Sequence, residues 1–224
     1  MVDKLQYLYK FVHKNKFVFI SGFCLLIFSF TGIRFLTQKS PPQINLAAVA
    51  QTQFTLQDLL NKHTQLLIDA VKSTNTNQEE NKAAVENLDS ASVSIAKWFG
   101  SLYGEQIQNE VRKIWKDETD SLLRYTLEQK KGNNSVAAKE LSQLSSFPTK
   151  LTGFLVQQNP KAREEELKKQ ITSYSAIVKT IIDTSVAKDY TTLYKQQQEA
   201  LNTVSILAKI IVEDISGQFP DKFK

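Results

Sequence analysis

From Phe54 onward, apolar side chains return every three or four residues, the spacing that gathers them on one face of an α-helix. Leu56, Leu60, His63, Leu67 and Ala70 make the first such stripe, and Leu88, Ser92, Ile95, Phe99 and Leu102 the second. Val111, Trp115, Glu118, Leu122 and Tyr125 follow, then Val136, Leu141, Leu144, Leu151 and Leu155. Leu167, Ile171, Tyr174, Val178 and Ile181 form the fifth, and Tyr194, Leu201, Val204, Ala208, Ile211 and Ile215 the last. Turn-forming residues stand between them: STNTNQ from Ser73, KGNN from Lys131, and the short VAKDY connection before the final stripe. Gly104 after Tyr103 reads as a stop, and Pro160 with Glu164 to Glu166 suits the first turn of a helix. The pattern predicts six helices. Within the fourth, Pro148 lacks a backbone donor and crowds the carbonyl four residues back, so the helix is expected to kink or restart in SSFPTK.

The stripes also repeat, at a period of about 55 to 60 residues that pairs the helices into hairpins. His63, Glu118 and Tyr174 fall at matching positions, each three residues after a large apolar residue (Leu60, Trp115, Ile171) and four before another (Leu67, Leu122, Val178). Thr64, Thr119 and Ser175 follow them in turn, and Tyr103-Gly104, Asn159-Pro160 and Phe219-Pro220 close the hairpins. The expected fold is therefore all-α, an antiparallel bundle of about six helices over residues 54–224, built from three repeated hairpins.

Ahead of the bundle the pattern changes. FVFISGFCLLIFSFTGI, Phe17 to Ile33, carries no charge, and with Arg34, Phe35 and Leu36 snorkelling it reaches the roughly 20 residues that span a bilayer. Residues 17–36 are expected to be a transmembrane anchor. Lys4, Lys10, Lys14 and Lys16 precede it, so residues 1–16 read as a cytoplasmic tail and the C-terminal domain as extracytoplasmic. A cleaved signal peptide fits poorly, because the nearest Ala-x-Ala, Ala48 to Ala50, comes too late. A lipoprotein site at Cys24 fits poorly as well, with Phe23 where a small residue is wanted. Residues 37–53, with Pro41 and Pro42 blocking helix continuation, read as a linker.

Charge and cysteine content narrow the function. The formal +5 lies entirely in residues 1–39, which hold six cations and one anion; beyond them 22 cations balance 22 anions. A domain without clustered excess cations is not built to grip a phosphate backbone, so no nucleic-acid partner is expected. Cys24 is the single cysteine and permits no intrachain disulfide. The sequence has no Ser/His/Asp or Cys/His set, no glycine-rich phosphate loop and no Cys-x-x-Cys, and it reads as non-enzymatic with no cofactor.

What remains is His63 and Glu118, ionisable groups inside apolar stripes. Buried without a partner, either would cost several kcal/mol or change its protonation state. If the odd-numbered helices share a core, His63, Glu118 and Tyr174 form one polar layer. It has two uses: a hydrogen-bonded layer fixing helix register, or a metal or small-ligand site with His63 and Glu118 as ligands. The nearby KAREEELKK, Lys161 to Lys169, reads as a solvated helix face with local ion pairs.

The repeated Leu/Trp-x-x-His/Glu-Thr-x-x-Leu-Leu pattern, with LYG closing the first hairpin and FPDKF the last, resembles uncharacterised exported or membrane-bound helical proteins of Bacillus-type bacteria over about Leu56 to Phe223. Members of that group favour a Trp before a His within one helix; here Leu60 precedes His63 and Trp115 precedes Glu118. The resemblance implies a helical fold and an envelope address, and no activity. The expected function is a membrane-anchored envelope protein whose bundle binds a membrane or envelope protein or an envelope polymer. The alternative is a metal- or small-ligand-binding bundle using the buried His/Glu layer.

Overall fold

The computed structural model describes residues 44–74 and 77–224, all of it helix and connections, with no strand among them. The expected tail (1–16), anchor (17–36) and first part of the linker lie outside the described residues. Among the described residues no helix is long and apolar enough to cross a membrane.

Among the described residues seven helices follow in order: α1 (Leu46–Ser73), α2 (Gln78–Tyr103), α3 (Glu105–Lys130), α4 (Asn134–Leu144), α5 (Phe147–Gln158), α6 (Glu164–Ala187) and α7 (Tyr190–Gln218), with a final 3₁₀ turn at Pro220–Phe223. Helices α4 and α5 are the two halves of the predicted fourth helix, so six rods are present. Helix α1 starts at Leu46, capped by the Asn45 side chain on the backbone N–H groups of Ala47 and Ala48. Residues 46–53, expected to be linker, are therefore the first turns of α1. Pro160 also differs from expectation: it lies in the turn before α6, whose first turn begins at Glu164.

Short connections make successive rods antiparallel, and each predicted hairpin packs on itself: α1 on α2, α3 on α4, α6 on α7. Helix α2 also packs on α3, and α7 returns against α1. At the end where the chain leads into α1, these contacts are reinforced. The Asn45 N–H donates to the Phe223 carbonyl, Lys222 Nζ reaches the Leu102 carbonyl at 2.9 Å, and the Tyr103 hydroxyl meets Gln218 at 2.8 Å. Arg163 is the main staple there. Its guanidinium binds Asp214 and Glu213, each at 2.8 Å, and the Ile210 carbonyl at 3.1 Å. Arg163 keeps a local pair with Glu166 at 3.4 Å, as expected for Lys161–Lys169, but its other bonds go beyond that expectation and tie the start of α6 to α7.

The stripes predict the core well over α1, α3 and α6, where every named position is buried. Along α7 the register slips by one residue: Leu193 and Ala200 are buried, whereas Tyr194 is 60% exposed and Leu201 half-buried. Counting back from Val204 in helical steps reaches Ala200 and Leu193, and the small Ala200 lets a neighbouring helix approach closely. Val136 likewise faces out while Ala137 is buried.

The break before Pro148 shapes the centre of the bundle. Helix α4 stops at Leu144, and the hydroxyls of Ser145 and Ser146 take up the Ser142 and Gln143 carbonyls at 2.7 and 2.6 Å. The chain restarts with Pro148 in the first turn of α5, where its missing N–H is harmless. Before the break the rod lies on α3; after it the rod lies mainly on α6.

Candidate functional site

Helix periodicity carries His63 on α1, Ser92 on α2, Trp115 and Glu118 on α3, and Tyr174 on α6 to the interior, at about mid-length of their rods. The expected single layer of His63, Glu118 and Tyr174 appears as two clusters. No hydrogen bond or ion pair joins His63 to Glu118.

The first cluster is closed. His63 is fully buried, its Nε2 3.1 Å from Ser92 Oγ and its ring 4.7 Å from the Trp115 ring at 63°. Ser92 Oγ also donates to the Leu88 carbonyl, so the proton between His63 and Ser92 belongs to Nε2. Trp115 packs edge-on against Phe147 at 5.5 Å on its other side. The Trp and the His that the sequence separates between repeats thus meet across α1 and α3. Burial lowers the His63 pKa to about 3, which keeps the imidazole neutral.

The second cluster is open. The Tyr174 hydroxyl lies 3.3 Å from Thr64 Oγ1, whose own proton goes to the Leu60 carbonyl. Burial first, and then the nearby Glu118 carboxyl, push Tyr174 far above the ordinary phenol range. Glu118 is 4% exposed and its Oε2 has no protein partner. Burial drives its pKa well above the usual carboxylate value, which favours the protonated acid.

Two recesses flank Glu118. One, about 350 Å³, is polar and lies between α3 and the α4–α5 break, lined among others by Asp120, Arg124, Gln143 and Lys150. The other, about 230 Å³, is mostly apolar, with Leu122, Leu141, Leu144, Pro148 and Ala176 as walls and Ser175 and Lys179 beside them. The rod's switch from α3 to α6 opens this second space. Sequence reasoning placed Pro148 but missed the recess.

Buried polar atoms without partners concentrate here. His63 Nδ1, Trp115 Nε1, Glu118 Oε2, Thr119 Oγ1 and Ser175 Oγ belong to this level, leaving only Asn61 Oδ1 and Thr152 Oγ1 elsewhere among the described residues. Native interiors pair nearly all such atoms, so this level is the least saturated part of the described interior. Thr119 and Ser175 are the hydroxyl positions of the repeat, of which only Thr64 is bonded. For a metal the set falls short: among the described residues no three His, Cys, Asp or Glu side chains come together, and His63 Nε2 is committed to Ser92. The arrangement offers hydrogen bonding and apolar contact at one neutral carboxyl. Compared with known protein families, curated proteins and solved structures, the chain matches none.

Proposed function

We propose that the chain is a non-enzymatic, membrane-anchored envelope protein, its N-terminus cytoplasmic and its helical bundle an extracytoplasmic interaction module. The uncharged run from Phe17 to Ile33 and its lysine flank support the anchor and orientation. The matched positions His63, Glu118 and Tyr174 support descent from three duplicated hairpins. The observation that carries the interaction reading is a pair of exposed tyrosines beside a lysine at the end of the bundle opposite the one where the chain leads into α1. Where the chain leads into α1, Tyr103 packs on Phe219 at 5.4 Å and Phe223 is buried, while Leu46 and Phe54 on the first turns of α1 are exposed. At the opposite end Tyr190 and Tyr194 stand 57% and 60% exposed on the first turns of α7, with Lys72 5.3 Å from the Tyr194 ring. Tyrosines with a neighbouring cation supply rigid, amphipathic contact area of the kind that dominates interfaces.

A photo-crosslinking residue at Tyr194 in the intact envelope tests this reading. A discrete adduct is expected from Tyr194 and not from Lys168 on α6. Absence of an adduct, or the same adduct from both positions, would overturn it. For the metal-binding alternative no specific observation speaks.

A further inference from the structure

We propose that the apolar recess between α4 and α6 binds a small amphiphilic amine, its hydrocarbon body against Leu122, Leu141, Leu144 and Pro148 and its ammonium group on Glu118 and Ser175. The proposal is independent of what binds the far end of the bundle. Three observations meet in it. The space, about 230 Å³, exceeds the roughly 150 Å³ that accepts a benzene ring and leaves room for a short chain and head group. Its walls are apolar, so the body gains burial rather than hydrogen bonds. Glu118 and Ser175 line it, and the buried atoms Glu118 Oε2 and Ser175 Oγ, which lack partners, can accept from an ammonium group once Glu118 is ionised and the two side chains turn into the recess.

A cation is the ligand these atoms need. A carboxyl among apolar walls stays protonated for want of a counter-ion, and an incoming ammonium supplies one; Glu118 then gives its proton to solvent and the pair is charge-assisted. A neutral alcohol would satisfy Ser175 but leave the carboxyl without an ion partner, and a carboxylate ligand would meet Glu118 as a like charge. The charges facing the site do not oppose a cation. Lys179 at the recess is paired with Asp183, Arg124 with Glu140, and Asp117 and Asp120 with Lys113 and Lys116. Lys150 borders only the polar recess on the other side of Glu118, and Tyr174 stays protonated.

Titration calorimetry of the full chain with phenethylammonium, 2-phenylethanol and 3-phenylpropionate at pH 7 tests this, run in two buffers of different ionisation enthalpy. The amine is expected to bind on the order of tenfold or more tightly than the alcohol or the acid, and to release close to one proton per site. Glu118→Gln should abolish that preference and the proton release while the helical signal and thermal midpoint stay at or above those of the unsubstituted protein. Ser175→Ala should weaken the amine alone, by a few fold. Equal binding of amine and alcohol, binding without proton release, an unaffected Glu118→Gln variant, or no heat with the amine would each overturn the proposal.

Discussion

His63 and Glu118 occupy the same position in successive repeats and are equally removed from water, yet their surroundings differ. His63 has a hydroxyl on one nitrogen, no partner on the other and a tryptophan ring packed against it. Glu118 has no partner for Oε2 and borders two recesses. Burial shifts both towards the neutral form, in opposite directions: the imidazole pKa falls and the carboxyl pKa rises. Depth alone therefore does not separate a structural group from a functional one. Each keeps one buried polar atom without a partner, His63 Nδ1 and Glu118 Oε2, and what separates them is whether neighbouring side chains pack against the group or leave space beside it.

The sharpest way to break the comparison is at Trp115, which contacts His63 and Phe147. Trp115→Ala should cost about 3–5 kcal/mol in chemical denaturation, through the cavity it leaves; a cost near zero would mean that the closed cluster is not packed as described. Next is the pH dependence of His63. Its folded-state pKa of about 3 lies below the ordinary 6.5, so the unfolded chain binds more protons and stability is lost as pH falls from 6.5 towards 3. His63→Phe should remove that loss, gaining about 2–4 kcal/mol over the unsubstituted protein near pH 3.5. Glu118 has the opposite sign. Its raised folded-state pKa gives stability that is fully present below about pH 4.5 and declines as pH rises above it. Glu118→Gln should thus be more stable than the unsubstituted protein at pH 7, by about 1–3 kcal/mol, with the difference shrinking towards pH 4.

The smallest effects compare two serines. Ser92→Ala leaves His63 Nε2 without its acceptor and should cost about 1 kcal/mol, whereas Ser175→Ala removes an unpartnered hydroxyl and should fall within about 0.5 kcal/mol of zero. Equal costs would erase the distinction between closed and open clusters.

Much of this architecture was legible in the chain. The six rods, the turns at Lys131–Asn134 and Gly104, and the break near Pro148 follow from periodicity and from backbone limits that act over a few residues. The α7 register was not legible, because the stripe through Tyr194 and Leu201 is as apolar in sequence as the one through Leu193 and the small Ala200 that the fold buries. His63, Glu118 and Tyr174 were found because polar residues interrupt apolar stripes. Their division into two clusters was not, since it depends on Ser92 of another hairpin and on helix rotation. The long-range bonds of Arg163 and Glu140 gave no local signal, because Asp214, Glu213 and Arg124 lie in other helices.

The central claim, that Glu118 is a neutral acid kept open to a recess, is most directly tested by infrared spectroscopy of the protein across a pH series. A protonated-carboxyl C=O band that persists at pH 7 and vanishes in Glu118→Gln is the predicted result. A Glu118 band that appears only below about pH 4.5, as for an ordinary exposed carboxyl, would contradict the account.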